Sequence, residues 1–331
     1  MHGIDDRRCA SEHSTAPALA RRATVFGLDV HAPSSLRLLD GATAEATGRV
    51  LELTVADPHV RPRRSPAQAE LVCDQREADG RVSFRIKSDQ RTGYLIEGPA
   101  YGSHQLDVAG RHASCRPGDR AEEVWQRLLI AQVLPFAAVL RGLEVLHASA
   151  VVTDAGAIVL AGPSRSGKTT LALELCRRGA RFLTDDVLAL ELAHGRLLGH
   201  PGAPVAGLAH GEARRLESLR TPLAAELVGV NDRERLLRMR PAAEPAPIAA
   251  LLFLQHRRDG SGTARFEAVT DARMLLAATF NTVLRTPARL RSLLELCATV
   301  ASRRVERVVI GPRTPVDQLA DAIQQRVGAR L

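Results

Sequence analysis

The stretch Gly162-Pro163-Ser164-Arg165-Ser166-Gly167-Lys168-Thr169 constrains this chain more than any other. It fits the pattern G-x-x-x-x-G-K-[ST], which cradles phosphate when a strand precedes it and a helix follows. Both flanks are present. Ala157-Ile158-Val159-Leu160-Ala161 reads as a buried strand, and Leu171, Leu173 and Leu175 start an apolar helical pattern. Gly162 and Gly167 allow backbone angles that a Cβ would forbid. Successive N–H groups can then turn inward as an anion-binding nest, at the positive end of a helix beginning near Lys168. Lys168 offers a mobile charge to the β- and γ-phosphates, and the Thr169 hydroxyl is placed for Mg²⁺. Pro163, Ser164, Arg165, Ser166 and Thr170 complete the expected nucleotide-binding set. Of 45 basic residues only Lys87 and Lys168 are lysines. Lysine thus stands where a compact ammonium is wanted. The expected cofactors are ATP and Mg²⁺.

At 331 residues the chain has room for two domains. Aromatic residues make up only 3%, so aliphatic side chains must build the core. The net charge of +8 suits an anionic ligand such as a nucleotide. It does not call for nucleic acid, because the arginines are scattered and no stacking aromatics lie among them. The five cysteines, at 9, 73, 115, 176 and 297, form no C-x-x-C and read as reduced thiols. Residues 1 to 14 lack the apolar core of a secretion signal. The apolar run from Ile130 to Leu140 contains Gln132 and Pro135 and is too short to span a bilayer. The expectation is a cytoplasmic protein with no membrane partner.

Residues 1–22 read as a mobile tail and 23–118 as a small β-rich domain. Within it, Val50 to Val55 is a strand, and Val82, Phe84 and Ile86 alternate as a half-buried strand should. Tyr94 to Glu97 and Gln105 to Val108 are further strands. Asp57 to Pro66 is a Pro/Arg linker. Residues 119–331 form the second unit. Asp119 to Glu122 resembles a capping box, and Pro135 should kink or end the helix that follows. Glu144 to Val152 reads as a strand carrying His147, and Asp154-Ala155-Gly156 turns it back into the strand before the glycine loop. Glu212 to Leu219 is a polar helix and Pro241 to Pro247 a linker. Ala249 to Leu254 is a buried strand, Ala272 to Leu284 and Leu290 to Ala301 are helices, Val305 to Ile310 is a strand and Val316 to Val327 a helix.

The run Ala180 to Asp186 is a short strand ending in two carboxylates, with Asp185 17 residues after Lys168. That spacing allows one helix and one strand and returns the chain to the loop. One carboxylate can take the proton of an attacking hydroxyl, and the other can hold Mg²⁺. The arginine-dense run Asn231 to Arg240 offers candidates for an arginine that stabilises the transferring phosphoryl group.

His147-Ala148-Ser149-Ala150-Val151, Gly162 to Thr169, and Gly179 to Asp186 together resemble the HPr kinase/phosphorylase catalytic domain. His147 precedes Lys168 by 21 residues, which matches. Val25 to Val30 and Leu36 to Leu39 look like the HPr-kinase-related proteins of peptide-tailoring gene clusters, such as lasso-peptide kinases. The resemblance implies an α/β fold of the phosphoenolpyruvate-carboxykinase-like P-loop type, with a mixed sheet beside the β-rich N-terminal domain. It implies Asp185 as the base, Asp186 beside Thr169 at the metal, and His147 at the phosphates or the catalytic acid. The implied reaction is ATP-dependent phosphorylation of a serine hydroxyl, and homo-oligomers are a further implication. On the residues alone three readings stand: a kinase acting on a peptide or small protein, a small-molecule kinase, and an ATP-sensing module that transfers nothing.

Overall fold

The computed structural model describes residues 21–33, 36–42, 46–56, 69–77, 79–118, 121–217, 223–259, 264–269, 271–280, 286–301 and 304–328. Residues 1–20 of the expected tail, all of the Asp57 to Pro66 linker and the Asp119-Arg120 start of the capping box lie outside the described residues, whereas Arg21 and Arg22, expected in the tail, open the first strand.

The N-terminal part is one eight-stranded sheet. Its strands are β1 (Arg21–Val25), β2 (Leu28–Ala32), β3 (Val50–Val55), β4 (Glu70–Arg76), β5 (Val82–Asp89), β6 (Gly93–Gly98), β7 (Gly102–Leu106) and β8 (His112–Arg116). They lie in the order β1-β2-β3-β8-β7-β6-β5-β4. Consecutive hairpins from β4 to β8 are antiparallel, whereas β3 runs parallel to both β2 and β8. On β3, Leu51 and Leu53 point inward while Val50, Glu52 and Thr54 lie at the surface or partly so, the two-residue period of a sheet with one covered face.

Helices α1 (Glu122–Leu128) and α2 (Leu134–Leu140) cover that face. They are joined without a break by one π-helical turn, Leu129–Val133. Pro135 was expected to kink or stop this helix. It sits in the first turn of α2, where the wider π turn before it accommodates the missing N–H. Trp125, Leu129, Val133 and Phe136 are buried against Leu28, Leu51, Ile96 and Leu106, and the same core continues to Val145, Val187 and Val205. Hydrophobic packing therefore runs across residue 118, the expected domain boundary. By length and mean hydropathy (19 residues, 1.3) this helix would pass for a membrane span, yet 67% of it is buried in the protein, as in a core helix.

The second part contains β9 (Glu144–Leu146), β10 (Ala148–Thr153), β11 (Gly156–Ala161), α3 (Lys168–Arg177), β12 (Arg181–Thr184), β13 (Leu188–Ala193), β14 (Arg196–Gly199), β15 (Val205–Ala209), α4 (His210–Glu217), β16 (Glu226–Val230), β17 (Glu234–Arg238), β18 (Ala246–His256), β19 (Arg265–Ala268), α5 (Ala272–Ala278), α6 (Pro287–Ala301), β20 (Val305–Ile310) and α7 (Val316–Val327). A mixed sheet runs β12-β10-β11-β18-β14-β13-β9, with β20 beside β18 and β19 beside β20. A small sheet has the order β15-β17-β16. All of β11 is buried because helices cover both faces of the sheet. Ile158 and Leu160 pack with Leu171 and Leu175 of α3 and Leu319 and Ile323 of α7. The alternate residues Ala157, Val159 and Ala161 pack with Leu275 of α5 and Leu296 and Val300 of α6.

Val305–Ile310 and Val316–Val327 fall at their expected bounds. The strand expected over Gln105 to Val108 lies earlier, at Gly102–Leu106, and the helix expected from Leu290 starts at Pro287; three further segments also differ. The expected strand Glu144 to Val152 breaks at His147, so β9 pairs with β13 while β10 pairs with β11 and β12. Helix α5 ends at Ala278, where Thr279 is extended (φ −63°, ψ 127°). The expected linker Pro241 to Pro247 already holds the start of β18, with Pro247 opposite Leu198. The four described cysteines, 73, 115, 176 and 297, are free thiols.

Candidate active site

The loop between β11 and α3 has the backbone its sequence demands. Gly162 lies at φ +143°, and a Cβ there would meet the Leu254 carbonyl oxygen at 2.7 Å and Ser166 Oγ at 2.9 Å. Gly167, at φ +86°, caps α3 in the left-handed region, with open space around its missing Cβ. Its constraint is the backbone angle alone. Lys168 Nζ folds back to donate to the carbonyls of Gly162 (3.0 Å) and Pro163 (3.1 Å). Burial lowers the Lys168 pKa, against the opposing pull of Asp186 and Asp185. Ser166 Oγ is buried with no hydrogen-bond partner among the described residues. The Ser166 carbonyl is 3.1 Å from His256 Nε2, at the end of β18.

Strand pairing brings the carboxylates to this loop. Strand β10 is antiparallel to both β11 and β12, so β11 and β12 point the same way and end at the same edge. Asp185 follows β12 there. Its Oδ1 accepts from Ser149 Oγ (2.7 Å) and Thr169 Oγ1 (2.8 Å), and its Oδ2 from the Gly207 N–H (3.0 Å). Burial, and then the charge of Asp186, push Asp185 up to about 6. Asp186 sits at φ +62°, in the left-handed region. Such a conformation costs about 1–3 kcal/mol and persists where its surroundings hold it. The strained turn separates the two side chains, and Asp186 pairs with the guanidinium of Arg127. Burial works against its charge, but Arg127, His147 and Lys168 hold it below the usual carboxylate range.

Arg127 comes from α1 and also donates from Nε to Glu234 Oε1 of β17 at 2.9 Å. Burial opposes its charge, and the two acids outweigh that, raising its pKa. His147 sits at the break between β9 and β10, where its N–H donates to the Ala278 carbonyl (2.7 Å). Burial and then the Lys168 charge lower the imidazole pKa, so the ring is neutral near pH 7. The fold therefore gathers Lys168, Thr169, Asp185, Asp186 and His147 at one sheet edge. Gly162 to Gly167 form the loop beside them, and Thr170 continues α3.

Arg127, Ser149, Gly207 and Glu234 join the site without a local sequence motif that marks them. Ser149 lies two residues beyond His147 along the chain. Arg127 stands next to Leu128 in an otherwise buried helical pattern, and a charge at such a position needs a partner. Two of the four arginines in the run Asn231 to Arg240 are paired with other acids: Arg233 with Glu77 at 2.7 Å, and Arg238 with Glu226 at 3.4 Å. That segment contributes its acid, Glu234, and the arginine at the carboxylate doublet is Arg127.

The residues present fit a magnesium–nucleotide. A glycine cradle that a Cβ would close, a lysine at its mouth and an orphaned buried hydroxyl on Ser166 suit phosphate. A buried carboxylate pushed toward neutrality beside a threonine hydroxyl suits a cation. Among the described residues no three His, Cys, Asp or Glu side chains form a metal cage. Magnesium shared with a nucleotide needs fewer, one or two carboxylates with phosphate oxygens.

The fold and this site define a mixed α/β protein with a phosphate-loop motif facing a carboxylate pair. No family model matches the chain. No curated protein matches it either. Among solved structures it is similar to the Hpr(Ser) kinase/phosphatase from Coxiella burnetii, at 14% identity over 55% of this chain and 95% of that one, with a TM-score of 0.29. So loose a superposition assigns no residue a role.

Proposed function

We propose that the protein is an ATP-dependent phosphotransferase that moves the γ-phosphoryl group to a hydroxyl, that of a serine in a peptide or small protein. The observation that carries this is the hydrogen bond from Thr169 to Asp185, which links the P-loop helix to the carboxylate doublet. Bound at this loop, magnesium–ATP would supply the phosphoryl group and the cation that screens its charge. The loop N–H groups and Lys168 would hold the phosphates.

The doublet divides the remaining work, with its members exchanging the parts the sequence reading gives them. Asp185, beside Thr169 and deep in the site, is the carboxylate a cation would stabilise. Asp186 is the more open of the two, with 31% of its side chain exposed, and it pairs with Arg127. It would orient the acceptor hydroxyl and take its proton as the new P–O bond forms and ADP leaves. A low pKa does not disqualify it, because phosphoryl transfer asks more for positioning than for basicity. Arg127 positions Asp186, and neutral His147 lines the same space.

The test is purified protein with Mg²⁺, γ-labelled ATP and serine-containing peptides. Label should appear in peptide. Asp186→Asn should cut transfer by about 10²–10⁴-fold while ATP still binds. Full transfer by Asp186→Asn would remove it from the proton's path.

A further inference from the structure

A cleft of about 980 Å³ opens between the start of β5 and the β6–β7 turn of the N-terminal sheet, helix α1 and the β16–β17 hairpin. Phe84, Tyr101, Val124 and Leu128 give it apolar walls. Arg127 and Glu234 also line it, and Arg127 is the residue that holds Asp186. One guanidinium is thus both cleft wall and partner of the doublet. No residue of the phosphate loop and neither Asp185 nor Asp186 lines the cleft, so Arg127 is the link between cleft and doublet.

We propose that this cleft seats the phosphoryl acceptor, and that the acceptor is an extended polypeptide segment with basic rather than acidic side chains around its hydroxyl. This rests on the phosphotransferase reading. Three observations select that occupant. The volume lies at the top of the roughly 300–1,000 Å³ range of small-ligand pockets, which leaves room for several residues of chain. Strand β16 is the outer strand of its sheet, pairing only with β17 among the described strands. Its last residue, Val230, lines the cleft and is 50% exposed. An outer strand presents main-chain N–H and C=O groups to which an extended segment can add.

The third observation is charge. The lining carries four carboxylates, Glu77, Glu123, Asp232 and Glu234, against three guanidiniums, Arg81, Arg127 and Arg233. Two acids outside the lining shift the balance further, Asp186 paired with Arg127 and Asp79 with Arg81. The wall leans negative in a chain whose net charge is +8. Overall charge would favour an acidic acceptor, whereas the cleft favours a basic one. Charges of this kind act on partner choice more than on raw affinity.

The test uses fluorescein-labelled, serine-centred decapeptides with lysine, glutamine or glutamate flanks. Their binding to the nucleotide-free full chain is read by anisotropy, and phosphate incorporation is read in parallel with Mg²⁺ and ATP. The wild type should bind lysine-flanked peptide roughly tenfold more tightly than glutamate-flanked peptide. The double variant Glu123→Lys with Asp232→Lys should abolish or invert that order, and the milder Glu123→Gln with Asp232→Asn should bring the two toward parity. Binding of a fluorescent ATP analogue reports that each variant is folded. Folded variants that keep the wild-type order would overturn the cleft assignment, even if phosphate is transferred. Inversion of binding without any transfer would leave a peptide cleft standing and fault the phosphotransferase reading alone.

Discussion

Replacing Arg127 by methionine puts the largest strain on this account. Its guanidinium lies between Asp186 and Glu234, and the three side chains are 15%, 31% and 21% exposed. Methionine keeps much of the volume and removes the charge. Two carboxylates would then face each other in a poorly solvated space with no cation between them. Breaking a buried ion pair by deleting one partner costs ~3–5 kcal/mol. The residual exposure of Asp186 and Glu234 places this case near ~3 kcal/mol. Urea unfolding should show the loss as a lower midpoint at unchanged slope. Adding Glu234→Gln should recover ~1 kcal/mol or more, because the remaining acid no longer meets a second one. Transfer activity should also fall, since Asp186 loses the contact that aims it. A loss below ~1 kcal/mol in Arg127→Met, with no recovery in the double variant, would show that the ion pair does not anchor the site.

Other perturbations separate the cradle from the core. Gly162→Ala places a Cβ 2.7 Å from the Leu254 main-chain oxygen, so ATP binding measured by calorimetry should drop by at least tenfold. His104 is fully buried between the N-terminal sheet and Trp125, and burial lowers its pKa to about 4. Because the unfolded chain takes up this proton first, the neutral ring supports the fold above about pH 6.5. That support is lost as pH falls toward 4, a change on the order of 3 kcal/mol. Unfolding midpoints measured across this range should show a steep acid limb, and His104→Gln should flatten it. Lys168→Ala should weaken ATP binding while leaving the melting temperature of the nucleotide-free protein within a few degrees.

Much of the site was legible because its chemistry is written in short range. Gly162 to Thr169 states its own backbone angles, and the 17-residue return to Asp185 allows only one helix and one strand. The apolar run of β11 and the alternation in Val82, Phe84 and Ile86 likewise declare themselves. What stayed hidden depends on tertiary contact. Arg127 meets Asp186 and Glu234 only after α1 folds across from β17, 59 and 107 residues away. The break at His147 follows from β9 and β10 joining different neighbours, which no local pattern encodes. Pro135 signalled a stop, and a single π turn absorbed it.

The central claim is that the glycine cradle and Asp185 converge on one magnesium–nucleotide. Calorimetric titration of ATP into wild type and Asp185→Asn, with and without Mg²⁺, tests it most directly. Magnesium should tighten binding to the wild type by tenfold or more, and Asp185→Asn should lose that gain while still binding metal-free ATP. Equal gains from magnesium in both proteins, or no ATP binding by the wild type, would contradict it.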